Sequence, residues 1–210
     1  MSTATGIEQL TFQLRGLTPI ILHNGRLNDP LDPSAIALDK AVKTYKKSKT
    51  TAALVEMARA EFLGSLYTGE DGAPCAPGEC LEAALRSAAK HTKEGKAVQT
   101  GLTIEGNAPI IYDGPKTADE LWDFRSKGAD LDLPMDGRRF VDRRRVKVGQ
   151  NAVMRTRPIF PEWELIFTVS YDSKLINKGS LKDFVTLAGT QIGLFELRPK
   201  FGRFEVVKVS

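Results

Sequence analysis

The residues most able to do chemistry lie near the end of the chain. Between Gly189 and Phe204 there are three glycines, Gly189, Gly193 and Gly202, one proline, and the cations Arg198, Lys200 and Arg203. Glycine permits positive φ and close backbone approach. A loop so built can expose N–H groups that cradle phosphates, with the cations supplying opposite charge. The same residues also describe a helix C-cap, a tight turn and a solvated basic loop.

A second concentration of charge runs from Arg138 to Arg157. It holds Arg138, Arg139, Arg143, Arg144, Arg145, Lys147, Arg155 and Arg157, opposed only by Asp142. A smaller cluster is formed by Lys40, Lys43, Lys46, Lys47 and Lys49. Formal net charge is only +4, so the distribution and not the total points to a polyanion partner. Alternation along an extended segment puts Arg143, Arg145 and Lys147 on one face and Arg144, Val146 and Val148 on the other. The outward cations would then stand about 6.5–7 Å apart, close to the phosphate spacing of an extended single strand. A solvated basic face is the competing reading. Phe140, Phe195 and Phe201 are candidates to stack on bases, with core packing the competing use.

Acid–base chemistry has few candidates. His23 and His91 are the only histidines, and Asp29 and Asp32 each precede a proline in a turn-rich segment. His23, Asp29 or Asp32 could serve as a general acid or base, although Asp-Pro pairs are common turn formers. No phosphate-binding P-loop, paired-carboxylate signature or nucleophile elbow is present. Cys75 and Cys80 stand in a C-x4-C spacing without a second Cys or His pair, so neither a metal nor a cofactor is expected. They read as reduced, semi-buried thiols around a helix start.

The elements that must position these groups follow from periodicity. Ile7 to Leu22 reads as a strand, with Leu10, Phe12 and Leu14 alternating with polar residues. Helices are expected over Ser34–Lys47, Thr51–Tyr67 and from Pro77-Gly78-Glu79 to about His91. Val98 to Tyr112 reads as one or two strands. Thr117-x-x-Glu120 is a capping box for a short helix holding Leu121 and Trp122. Asp113 to about Pro161 has the weakest regular signal, yet Trp122, Phe124, Phe140, Val146, Val148 and Met154 give it something to bury. Glu162 to Tyr171 is a strand. Ser180-x-x-Asp183 caps a helix expected to end at Gly189, and a closing strand begins near Arg203.

Without the insertions the order is β–α–β–β–α–β. The fold class is therefore α+β: a ferredoxin-like core, as in the RNA-recognition motif, with helical and basic-lobe insertions. Residues 1–112 and 161–210 would form the discontinuous core, with a helical insertion at about 26–70. Residues 113–160 would form the inserted basic lobe.

Three local sequences, in this order, resemble the RAMP superfamily, the RNA-binding subunits of CRISPR effector complexes. Leu17-Thr18-Pro19-Ile20-Ile21-Leu22-His23-Asn24-Gly25 is similar to its first strand and turn. Pro74 to Ser87, with Pro77-Gly78 and Ala84-Leu85-Arg86, resembles its I-P-G-S-S-L-K-G-A-L-R helix start. Ile192-Gly193-Leu194 through Arg198-Pro199-Lys200-Phe201-Gly202-Arg203-Phe204 resembles its C-terminal glycine-rich loop. Glu79 and Cys80 replace the usual serines, Glu82 the usual lysine and Ala83 the usual glycine.

The resemblance implies a backbone subunit that assembles with copies of itself, and with other effector subunits, along single-stranded RNA (guide or target) or single-stranded DNA. Phosphates would be held by Arg138, Arg139, Arg143, Arg145, Lys147, Arg155 and Arg157 of the lobe. Arg198, Lys200, Arg203, Gly189, Gly193 and Gly202 of the loop, and Arg86, would complete the binding set. Two other functions stay open: a metal-independent endoribonuclease of the same superfamily, and a phage-type structural or interaction protein that kept the fold. The opening residues have neither a basic stretch nor an apolar run, and no segment approaches the ~18 apolar residues of a membrane span. The expected setting is cytoplasmic, with no membrane partner.

Overall fold

The structure, a computed structural model, describes residues 6–210. The protein is α+β, with antiparallel sheets and six α-helices among the described residues. In chain order the elements are β1 (Ile7–Gly16), β2 (Ile20–Ile21), α1 (Pro33–Ser48), α2 (Thr51–Ser65), β3 (Cys75–Pro77), α3 (Gly78–Ala89), α4 (Gly95–Gly101), β4 (Leu102–Thr103), β5 (Asn107–Pro109), α5 (Ala118–Asp123), β6 (Val141–Val148), β7 (Asn151–Phe160), β8 (Glu164–Asp172), α6 (Lys178–Leu187) and β9 (Phe204–Val209). The chain divides into two compact units. The first takes residues 6–20, Cys75–Asp113 and Glu162–Ser210, and the second takes Ile21–Pro74 and Gly114–Pro161.

The first unit is built on a four-stranded sheet in the order β4-β8-β1-β9, every pair antiparallel. Leu10, Phe12 and Leu14 of β1 are buried, as their alternation requires, and Phe12 stacks on Phe167 of β8 at 5.9 Å. Helix α3 buries Leu81, Ala84, Leu85 and Ala88, and α6 buries Leu181, Phe184 and Val185. Each such side chain contributes roughly 1.5–3 kcal/mol of burial for the larger apolar types.

Four details depart from the periodicity. The first strand stops at Gly16, where any Cβ would run into the Trp163 indole, whose Nε1 donates to Thr18 O at 2.9 Å. The segment expected as strand from Val98 begins as α4, because Lys93 turns the chain in a left-handed conformation (φ 64) and starts a new helix that buries Val98. Helix α6 is capped by Asn177, whose side chain accepts from Ser180 N at 2.7 Å, and not by Ser180 itself. That helix does not end at Gly189 either. A wider π turn carries it from Ala188 to Ile192, since Gly189 packs against the backbone and ring of Phe204 instead of reversing the chain.

The second unit joins the helical insertion and the basic lobe. Asp32 caps α1, accepting from Ser34 N at 2.7 Å, with Pro33 in the first helical turn. Thr50 caps α2. The last carbonyls of α2 are capped by Arg26, which donates to Leu63 O and Gly64 O at 2.9 Å and to Leu66 O at 3.1 Å. Thr117 accepts from Glu120 N at the start of α5, as the capping signature requires. Phe62 packs on Trp122 at 5.4 Å, and Phe140 on Phe160 at 5.8 Å.

The weakly patterned stretch after α5 contains the longest hairpin of the chain, β6–β7, in a sheet of order β2-β7-β6. Met154, expected to be buried, is 48% exposed. The Val148 side chain lies outside the described residues. Among the described residues no helix is long and apolar enough to cross a membrane.

Candidate functional site

In the second unit, the β6–β7 hairpin sorts its cations by face. A two-residue turn, Gly149-Gln150, fixes the register, with Gly149 at φ 59, a value glycine accepts without strain. Counting back from that turn pairs Lys147 with Ala152, Arg145 with Met154 and Arg143 with Thr156. Arg143, Arg145 and Lys147 are all exposed, in the alternation expected for a strand. Alternate residues stand about 6.5–7 Å apart, so the three guanidinium and ammonium groups form one row.

On the other face the arginines are held in ion pairs within the unit. Asp142 is buried and receives Arg144 Nε at 2.6 Å, with Arg157 Nη2 at 3.5 Å from its other oxygen. Arg155 donates to Glu61 Oε1 at 2.9 Å, and the second Glu61 oxygen accepts from Thr156 N at 2.9 Å. Arg157 is therefore turned inward, and Arg155 is held by a half-buried ion pair. Alternation explains both placements, because Arg155 and Arg157 lie opposite Arg144 and Asp142.

Arg138 also faces inward. Its guanidinium donates to Trp122 O and Pro134 O, approaches Asp123 at 3.3 Å and lies 4.3 Å over the Trp122 ring. Burial lowers its pKa below the ordinary guanidinium value. Arg139 is half-buried, with its guanidinium 5.7 Å over Phe140. Phe140 is 1% exposed and belongs to the core, which removes it as a stacking platform.

Two features of the outward face escape a reading of charge alone. Met154 stands opposite Arg145 as an exposed apolar side chain among the cations. Arg143 borders an apolar groove of about 440 Å³ lined by Leu54, Val55 and Ala58 of α2 and by Leu133, Pro134 and Met135. The Gly149-Gln150 turn was the available signal for Met154, since it sets which residues are opposed. The groove depends on the packing of two distant segments and had no local signal.

In the first unit, the C-terminal loop has a fixed base and a cationic tip. Leu194 N donates to Gly202 O, and Gly202 N to Pro19 O, both at 2.9 Å. Arg203 N donates to Thr18 Oγ1 at 2.9 Å, and Leu17 N to Arg203 O at 2.8 Å. Gly202 (φ 76) lies against the Leu194 backbone with no room for a Cβ. Gly189, Gly193 and Gly202 thus all serve close packing within the protein. Phe195 and Leu197 also adopt left-handed backbone, at φ 60 and φ 56, a conformation costing non-glycine residues about 1 kcal/mol or more. Arg198, Lys200 and Arg203 are exposed, and Lys200 lies 5.9 Å over the half-buried Phe201 ring.

At the α3 start, Gly78 packs against the carbonyls of Ile104 and Gly106, and Glu82 accepts from Ile104 N at 2.7 Å. The acidic departure from the RAMP pattern at Glu82 is thus used inside the unit. Arg86 is half-buried at the far end of α3.

The acid–base candidates occupy turns and caps. Asp29 accepts from Leu31 N at 2.9 Å. Asp32 caps α1, and the Ser34 amide lowers its pKa. His23 Nδ1 lies 3.4 Å from Ser65 Oγ, and its carbonyl accepts from Tyr67 OH at 3.2 Å. Cys75 is buried and Cys80 partly so, and the two are not joined in a disulfide. Among the described residues no group of three His, Cys, Asp or Glu side chains could hold a metal ion.

No family model matches this chain, and no curated protein is significantly similar to it.

Proposed function

We propose that this protein is a RAMP-like subunit that binds single-stranded nucleic acid, RNA by preference, on a ferredoxin-like core. It would assemble with further copies along the strand as the backbone of a ribonucleoprotein. The observation that carries this reading is the exposed row Arg143, Arg145 and Lys147 on β6, whose inward neighbours are already engaged in ion pairs. A row at single-strand phosphate spacing meets the backbone of an extended strand, and phosphate contacts carry little sequence information. The exposed cations Arg198, Lys200 and Arg203 form a second such surface in the other unit.

The core assignment is supported by topology. Counting β1, β4, β8 and β9 as first to fourth, the sheet order is second-third-first-fourth, with α3 between the first two and α6 between the last two. This order supports reading the unit as a split βαβ core. The apolar groove beside Arg143 offers a place for an unstacked base, which would favour single strands over duplex.

The test is binding to labelled single-stranded RNA, single-stranded DNA and duplex across a salt series. A log–log salt slope of roughly −3 or steeper is expected for single strands, at about 0.7 per phosphate. Occupancy should rise in regular steps with strand length, and the strand should stay intact. Negligible binding at low salt would overturn the reading in favour of an interaction protein.

A further inference from the structure

Four cations converge on one corner of the first unit, none of them belonging to the row on β6 or to the C-terminal loop. Arg86 and Lys90 are one helical turn apart at the end of α3, Lys93 lies in the following turn, and Lys96 is on α4. Together with Gly95 and Gln99 they line a concavity of about 620 Å³. The turn is built to bring them together. Lys93 is held at φ 64 with its N–H bonded to Lys90 O at 3.2 Å, and Glu94 N donates to Ala89 O at 2.9 Å. Gly95 is buried, with the Lys90 side chain filling the space a Cβ would need.

Among the described residues, none of these four side chains makes an ion pair or a hydrogen bond. The one acid within the stretch 83–104 is Glu94, which likewise pairs with none of them. Like charges gathered without counter-charge repel, and an anion relieves that repulsion. No aromatic or large apolar side chain lines the concavity, so it offers nothing for a base to stack on.

We infer that this α3–α4 corner binds a compact polyphosphate, a group presenting three or more negative charges within one concavity. An internal phosphodiester brings a single charge per nucleotide and suits a row of cations. Convergent cations suit instead a terminal triphosphate or a free polyphosphate.

The experiment is calorimetric titration, at low salt without divalent metal, of inorganic tripolyphosphate and of orthophosphate. One oligoribonucleotide, carrying either a 5′-triphosphate or a 5′-hydroxyl, is titrated in parallel. Tripolyphosphate should bind about tenfold or more tighter than orthophosphate. Lys90→Ala/Lys96→Ala should abolish that preference with an unchanged Tm in ligand-free buffer. Lys90→Gln/Lys96→Gln gives the same reading if the alanine pair is unstable. Arg143→Ala/Arg145→Ala should leave tripolyphosphate binding intact while weakening the 5′-hydroxyl strand, which keeps this site's failure distinct from that of the strand-binding surface.

If the 5′-triphosphate strand gains over the 5′-hydroxyl strand and the lysine variant erases that gain, the ligand is a nucleic-acid terminus. If only free tripolyphosphate responds to the lysine variant, the ligand is a soluble polyphosphate. Tripolyphosphate binding no tighter than orthophosphate, or equally lost in the Arg143/Arg145 variant, overturns the inference.

Discussion

Asp142 and Arg157 sit directly opposite each other on β6 and β7, their side chains only 5% and 4% exposed and their charged atoms 3.5 Å apart. Removing one partner of such a pair strands the other charge in a poor solvent, which costs about 3–5 kcal/mol. Asp142→Ala should therefore lower the unfolding free energy obtained from urea titration by an amount in that range. Arg143→Ala and Arg145→Ala, on the exposed face of the same strand, should each stay within about 0.5 kcal/mol. Equal effects on both faces would refute the sorting of charge by side.

Binding should report the same division. Each outward cation neutralises one phosphate, so replacing Arg143, Arg145 and Lys147 together by alanine should flatten the log–log salt slope for single-stranded RNA by about 2, at roughly 0.7 each. An unchanged slope would remove the hairpin from the interface.

The C-terminal loop separates architecture from contact. Gly202→Ala places a Cβ where φ is 76 and the Leu194 backbone leaves no room. It should lower Tm by several degrees, a loss of about 1 kcal/mol or more. Arg198→Ala/Lys200→Ala should leave Tm in place and weaken strand binding. If the double variant binds as tightly as the parent, the loop is only a structural closure.

Asp32 invites a substitution that keeps the cap and removes the carboxylate. Asparagine caps helices as well as aspartate does, so Asp32→Asn should match the parent in stability, while Asp32→Ala should lose about 1 kcal/mol. Chromatography of labelled RNA after incubation should show intact strand for both. Cleavage by the parent that disappears in Asp32→Asn would restore an enzymatic role.

Tyr171 is buried on β8 and donates to Glu8 at 2.9 Å. Burial, then the hydrogen bond to Glu8, raise its pKa above the ordinary value of 10.0. The folded state thus holds this proton longer than the unfolded one. Its contribution is fully present below pH 10.0 and is lost as pH rises through the raised value. Denaturation midpoints should fall across that alkaline window, and Tyr171→Phe should flatten the fall. A parallel pH dependence in the variant would locate the effect elsewhere.

Much of this was legible in the sequence where one residue's neighbours in the chain decide its environment. The alternation of Leu10, Phe12 and Leu14 placed β1, and that of Arg143 to Lys147 separated the faces of β6. The Thr117–Glu120 signature placed the start of α5. What the sequence concealed depends on residues far apart in the chain. The inward turn of Arg157 rests on Asp142 across the hairpin, that of Arg138 on Trp122, and the burial of Phe140 on Phe160. The cap of α6 was misplaced by three residues because Asn177 and Ser180 are both good capping types, and packing chose between them. The left-handed Lys93 carries no local signature, so the α3–α4 corner and its converging cations were invisible until the chain was folded.

The two-residue turn at Gly149-Gln150 has a genetic corollary. Codon substitutions at 143, 145 and 147 alter only the outward row and leave the ion pairs behind it untouched. Removing a single codon, such as that for Val146, shifts every residue from Arg145 back toward the strand start by one position against β7. Arg145, Arg143 and Val141 would then face inward while Asp142 and Arg144 turned to solvent. Such a deletion should unfold the hairpin where even three alanines do not, so this stretch of gene tolerates spelling changes and resists changes of length.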